Sequence, residues 1–211
     1  MFSEQTWIVR IIWVLLFLFA AGAVITGRWY PAFVALATLV LTVTPLFLSR
    51  WIRVEIPPSF IAAAVIFTGS ALILGEVFDF YDRFWWWDIG MHGVGALGVG
   101  MLGFVLIFMM FQGDKYAAPP YAVALFAFCF AMAVGVLWEV FEFTMDSLLG
   151  TNMQKSGLLD TMGDLIVDGV GALIGAGSGW FYLKSRELGG LTGVIDEFVR
   201  RNPHLFKGRR K

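Results

Sequence analysis

The stretch Glu76–His92, EVFDFYDRFWWWDIGMH, and a partial copy of it at Trp138–Asp168 decide how this chain is read. In the first, Glu76-Val77-Phe78-Asp79-Phe80 closes one apolar run. Asp88-Ile89-Gly90-Met91-His92 then leads into Gly93-Val94-Gly95-Ala96-Leu97 and opens the next. In the second, Glu139-Val140-Phe141-Glu142-Phe143 closes a run. Asp164-Leu165-Ile166-Val167-Asp168 leads into Gly169-Val170-Gly171-Ala172-Leu173 and opens the one after it. The order repeats, and the pentapeptide Gly-Val-Gly-Ala-Leu is identical. The connecting loops differ in length, so only the helix ends match. The pattern predicts a duplicated helical hairpin with acidic residues gathered at one end.

Working outward, six apolar runs can be traced, roughly Trp7–Thr26, Tyr30–Ser49, Phe60–Phe80, Ile89–Phe111, Tyr121–Leu149 and Thr161–Leu183. Each approaches or exceeds the ~20 residues that cross a hydrocarbon core at 1.5 Å rise per residue. Only helices and closed barrels span lipid, because every backbone polar group must be paired internally. These runs are continuous rather than alternating, so they read as helices. The composition agrees: 59% of the 211 residues are apolar and 15% are charged, against about a quarter charged in soluble domains. The expected fold is an all-α polytopic membrane protein with six transmembrane helices, helices 3–4 and 5–6 forming the duplicated hairpins. Residues 1–56 would be an N-terminal transmembrane hairpin, 57–186 the duplicated four-helix core, and 187–211 a basic cytoplasmic tail.

Charge sets the expected orientation. With six spans both termini share one side. That side collects Arg10, Arg50, Arg53, Lys115, Lys184, Arg186, Arg200, Arg201, Lys207, Arg209, Arg210 and Lys211, against Arg28, Arg83 and Lys155 on the other. The positive-inside rule then puts both termini in the cytoplasm of a bacterial inner membrane. The start of the chain, ahead of the first run, carries Glu4 and no early basic cluster, which argues for a span rather than a cleaved signal. Leu191, Val194, Ile195, Phe198 and Val199 recur at helical spacing, so the tail is either a short interfacial helix or unstructured. Cys129 lies inside an apolar run and, as the sole cysteine, has no partner for an internal disulfide. No nucleic-acid signature is present. Membrane lipids are the expected partners, and the sequence leaves the oligomeric state open.

The same orientation places Glu76, Asp79, Asp82, Asp88, Glu139, Glu142, Asp146, Asp160, Asp164 and Asp168 at the outer ends of four helices, ten of the sixteen acidic residues. Glu76/Asp79 and Glu139/Glu142 are i,i+3 pairs, and Asp88/His92 and Asp164/Asp168 are i,i+4 pairs, so each pair shares a helical face. Asp168 lies about 12 Å deeper than Asp160 on a continuous helix. Carboxylates within a membrane are costly and face a partner or a watery cavity. With so few cations nearby they must be protonated, solvated or metal-bound. Oxygen ligands with one imidazole favour Mg²⁺, Mn²⁺ or Ca²⁺, with Zn²⁺ also admissible. The expected ligands are Glu76, Asp79, Asp88, His92, Glu139, Glu142, Asp164 and Asp168, with His92 and Glu139 as the catalytic pair.

Each part also has a plainer reading. Asp88 and Asp164 suit helix N-termini, where acids meet the dipole. Asp82, Asp146 and Asp160 read as loop residues. Trp85, Trp86 and Trp87 fit an interfacial aromatic belt, and the glycines around Gly93–Gly100 and Gly169–Gly177 fit close helix packing. The duplication of the polar positions at one end is what singles them out.

The pattern Glu76-x-x-Asp79, Trp86-Trp87-Asp88-x-x-x-His92, Trp138-Glu139-x-x-Glu142, Met153-Gln154 with Ser156-Gly157, and Asp160-Thr161-x-x-Asp164-x-x-x-Asp168 resembles the YjdF-like family of bacterial inner-membrane proteins over about residues 60–180. The hairpin from Glu142 to Gly175 is also similar to the VanZ-like membrane family, with Asp168 where that family has Asn. The VanZ-like family is associated with glycopeptide-antibiotic resistance. These resemblances imply the membrane fold and the weight of the motifs, and they supply no reaction.

Three functions compete. The first is a metal-dependent hydrolase or transferase at the outer leaflet. Two divalent ions held by the duplicated carboxylates would activate water against a lipid-phosphate or lipid-linked substrate. The second is a cation- or proton-coupled transporter, disfavoured because such sites usually lie near the midplane. The third is a non-catalytic assembly or lipid-binding protein with a structural metal.

Overall fold

The computed structural model describes residues 5–111, 118–185 and 189–206, and all regular structure among them is helical. The helices are α1 (Trp7–Ile25), α2 (Trp29–Trp51), α3 (Pro58–Gly69), α4 (Phe80–Arg83), α5 (Trp87–Met110), α6 (Pro120–Leu149), α7 (Leu158–Lys184) and α8 (Gly190–Arg201). A π-helical stretch, Ser70–Val77, continues α3, and a 3₁₀ turn, Pro203–Leu205, follows α8.

Five segments are long and apolar enough to cross a membrane: α1, α2, α3 with its π-helical extension, α5 and α6. The sixth expected span coincides with α7, whose 27 residues carry Asp160, Asp164 and Asp168 and which falls outside that set. Large apolar side chains line the outside of the helices, among them Phe17, Phe33, Leu137, Phe143, Ile166 and Leu173. On α6 the buried positions Val123, Ala127, Ala131 and Glu139 are small or polar. Apolar bulk outward with small and polar groups inward is the partition expected when lipid is the solvent.

The chain forms two compact units, residues 1–87 with 200–202, and 88–199 with 203–211. In the first unit, Val9, Trp13 and Leu16 of α1 pack with Leu46 of α2 and with Ile61 and Val65 of α3. The indole N–H of Trp13 donates to the Thr42 hydroxyl at 3.1 Å, so this buried polar pair is satisfied. Pro57 and Pro58 start α3, where the missing N–H costs nothing. Asn202 is fully buried and grips the backbone of Glu55 from both sides, accepting from its N–H at 2.7 Å and donating to its carbonyl at 2.8 Å. The three tryptophans divide: Trp85 and Trp86 are exposed as a belt would be, whereas Trp87 is buried edge-on against Phe80.

In the second unit α6 packs along α7, and α5 and α7 meet backbone to backbone. A Cβ at Gly171 would collide with the carbonyl oxygen of Gly93, and one at Gly175 with that of Leu97. Gly179, which the sequence reading passed over, lies flat against the Phe104 ring. Glycines four apart thus make one smooth stripe on α7, the device that lets membrane helices approach closely. Gly98 and Gly177 have no such neighbour and take no part in it.

The tail forms helix α8. Its apolar residues Ile195 and Phe198 are covered by protein, with Phe198 against Phe206 and Phe206 against Phe108. Leu191 is exposed and Val194 and Val199 are half-buried, so protein covers only part of this apolar face. The expected basic positions Lys115, Arg186, Lys207, Arg209, Arg210 and Lys211 lie outside the described residues.

Candidate functional site

The three long helices of the second unit each bring acids to one place. α5 contributes Asp88 and His92, one turn apart. α6 contributes Glu139 and Glu142, and α7 contributes Asp160, Asp164 and Asp168 at successive turns. The α5–α7 glycine contacts begin one residue beyond His92, so the close approach of the backbones draws these side chains together.

His92 occupies the middle. Its Nδ1 lies 3.3 Å from Asp168 Oδ1. Its Nε2 faces Asp88 Oδ1 at 3.8 Å and Glu139 Oε1 at 4.0 Å, both too long for a strong hydrogen bond. The short contact to Asp168 favours the tautomer with a proton on Nδ1. Nε2 then faces the carboxylate oxygens of Asp88 and Glu139 in one of two ways: as a lone pair that needs a cation between, or as the N–H of an imidazolium paired with them. Lone pairs facing lone pairs across about 4 Å are unstable unless a cation or proton lies between them.

Glu139 makes the point most strongly. It is 4% exposed. Both of its carboxylate oxygens are buried, and neither has a hydrogen-bond partner among the described residues. An isolated buried carboxylate is very costly, so this group needs a counter-charge or a proton. Its neighbour one turn on, Glu142, is also buried but accepts from the Trp138 indole N–H at 2.9 Å.

Two sets of ligand atoms come within 4.8 Å of one another: His92, Glu139 and Asp164, and then Asp88, Asp160 and Asp164. Two oxygens bound across one Ca²⁺ at 2.3–2.6 Å are about 4.6–5.2 Å apart, so the spacing admits a hard divalent ion. Asp160, read from the sequence as a loop residue, thus stands in the first turn of α7 beside two expected ligands. It also accepts the Lys155 backbone N–H at 3.1 Å.

Asp146 matches its plainer reading. Its carboxylate accepts from the Thr151 hydroxyl and from the backbone N–H groups of Met153 and Gln154, and so organises the α6–α7 loop. Gln154 then donates to Thr161 at 2.6 Å, tying that loop to α7.

Of the expected ligands, Asp88, His92, Glu139, Glu142, Asp164 and Asp168 meet in the second unit. Glu76 and Asp79 belong to the first unit and have partners there. Glu76 accepts from the Tyr30 hydroxyl at 3.2 Å, and Asp79 pairs with Arg83 at 3.5 Å. Sequence reasoning missed Gly135 altogether. It lies on the α6 stripe four residues before Glu139, and the Asp168 carboxylate occupies the space its side chain would need. The four-residue series Val123, Ala127, Ala131, Gly135, Glu139 was the available signal.

Exposed apolar helices around a buried acidic centre define a polytopic helical membrane protein. Residues 6–185 match the family described as "Predicted membrane protein (DUF2238)", and the chain belongs to that family. A relative from Thermotoga maritima, described as an uncharacterized protein, is 32% identical over 103 residues, 47% of this chain. The chain spans about half the length of that relative, 50% of which is covered. No solved structure matches. The YjdF-like resemblance fits this family loosely, and no match supports the VanZ-like resemblance of the last hairpin.

Proposed function

We propose that this membrane protein binds a divalent cation between α5, α6 and α7, with Nε2 of His92 and carboxylate oxygens of Glu139 and Asp164 as ligands. The observation that carries this is Glu139, buried with two oxygens that no described residue satisfies. In this reading Asp168 accepts from the His92 Nδ1–H, which fixes the tautomer and raises the basicity of Nε2. The bound ion would polarise a phosphoryl oxygen and lower the pKa of a ligated water, so the centre suits a hydrolase or transferase acting on a lipid-phosphate or lipid-linked substrate.

One pattern favours this over ion transport. Past Asp168, α7 carries no further acid to Lys184. Neither does α5 past His92, and α6 has none before Glu139. The acidic ladder therefore stops partway along the helices, whereas transporters place the site near the midplane on broken helices. With α7 as a sixth span, the distribution of Lys and Arg supports cytoplasmic termini and an outward-facing site. The repeated motif supports an origin by duplication of a hairpin.

The test is thermal melting of the purified protein in detergent, first with chelator and then with Mg²⁺, Mn²⁺, Ca²⁺ or Zn²⁺. A ligand that binds only the folded state stabilises by about 2.7 kcal/mol at a hundredfold excess over Kd. Wild type should gain stability from one of these ions, and Glu139→Gln should not. Absence of any metal-dependent shift in wild type would remove the metal and leave a protonated cluster. For the enzymatic part, proteoliposomes containing a lipid phosphate monoester should release inorganic phosphate only with metal and intact Glu139. Metal binding without turnover of phosphate esters would limit the protein to a structural or carrier role.

A further inference from the structure

The second set of ligand atoms, Asp88, Asp160 and Asp164, shares Asp164 with the first. Resting on the cation reading above, we infer that the centre is dinuclear: Asp164 bridges an inner ion held with His92 and Glu139 and an outer ion held with Asp88 and Asp160. A carboxylate has two oxygens and can bind one ion through each, the usual way for neighbouring metals to share a ligand. Asp164 is 5% exposed, and no described residue donates a hydrogen bond to it. It faces His92 in the inner set and is the one residue common to both sets.

The two positions differ in access. The inner ligands are closed in, with the side chains of His92 and Glu139 at 9% and 5% exposure. At the outer position the Asp88 side chain is 26% exposed, and Asp160 is half-buried. The inner ion would be held on all sides and exchange slowly. The outer ion would keep open positions for water or substrate, as catalytic metals do. The outer position also touches the ordered α6–α7 loop, because Asp160 holds the Lys155 N–H. A ligand entering there would meet Asp160 first.

Stoichiometry separates this inference from the reading beneath it. The full chain in detergent is stripped with chelator, dialysed against Mn²⁺ and measured for metal content and by electron paramagnetic resonance. Wild type should hold about two Mn²⁺ per chain with a broadened, spin-coupled spectrum, as expected for ions about 3.5–4 Å apart. Asp160→Asn keeps an acceptor for the Lys155 N–H and removes an outer ligand. It should hold about one Mn²⁺ with the resolved hyperfine pattern of an isolated ion. Asp88→Asn should do the same, so one misfolded variant does not decide the matter.

Wild type with a single uncoupled Mn²⁺ would overturn the dinuclear centre and leave the one-ion reading standing. Wild type with none would overturn both. Two coupled ions retained in folded Asp160→Asn and Asp88→Asn would overturn the ligand assignment of the outer ion.

Discussion

Glu76-Val77-Phe78-Asp79-Phe80 and Glu139-Val140-Phe141-Glu142-Phe143 are nearly the same five residues at the end of an apolar run, and they come to opposite fates. In the first, the helix widens into a π-helical turn and stops. The Phe78 N–H reaches back five residues to the Ile73 carbonyl at 3.1 Å, and Asp79 takes a left-handed backbone at φ 58°. Both acids are exposed, one beside Tyr30 and the other beside Arg83. In the second, α6 runs on beyond Glu142 to Leu149, so Glu139 and Glu142 stay on a helical face turned inward. A motif therefore reports spacing along the chain. Burial depends on whether the helix continues and on what approaches it.

The largest expected effect breaks or upholds this contrast directly. Glu139→Gln should abolish cation-induced stabilisation, about 2.7 kcal/mol at a hundredfold excess over Kd in wild type. With chelator present its stability should equal or exceed that of wild type, because an unpaired buried charge is gone. Glu76→Gln should leave the cation response intact. Equal loss in both variants, measured by melting in detergent, would mean that the first motif also serves the site.

The next effect concerns why the second pair is buried. Gly171→Ala forces a methyl into the Gly93 carbonyl and should cost about 1–3 kcal/mol. Gly98→Ala meets open space and should be neutral or stabilising by up to ~1 kcal/mol, the helix preference for alanine. If denaturant melts of the two variants agree, the α5–α7 contact does not hold the site together.

Asp168→Asn preserves an acceptor for the His92 Nδ1–H and removes its charge. Losing the carboxylate that holds a metal-ligating histidine usually costs about 10–100-fold in metal affinity, readable by titration calorimetry. Gly135→Ala should weaken binding in the same direction, since its methyl displaces the Asp168 carboxylate. An unchanged affinity in both would make Asp168 a bystander.

The smallest effect falls on the exposed motif. Asp79→Gly relieves a left-handed backbone, worth up to about 1 kcal/mol. It also loses an exposed ion pair with Arg83 of the kind worth 0–1 kcal/mol. The melting temperature should barely move, and the cation response should not move at all.

By itself the sequence determined the helical, lipid-facing character of the chain, because long apolar runs can satisfy their backbone in lipid only as helices. It also determined which residue types cluster at helix ends and the spacing that puts Asp88 with His92, and Asp164 with Asp168, on common faces. Side chains one turn apart need no tertiary information to be neighbours. The tertiary structure decided which acids share a centre. Asp164 and His92 meet because the glycines of α7 bring its backbone against α5, Glu139 reaches them because α6 packs along α7, and Asp160 joins them because α7 begins early enough to include it. Glu76 and Asp79 instead gain surface partners because their helix ends in a π-helical turn. Those outcomes depend on how closely two backbones approach and where a helix stops. Both are set by packing between segments far apart in the chain, and neither can be read from spacing within one segment.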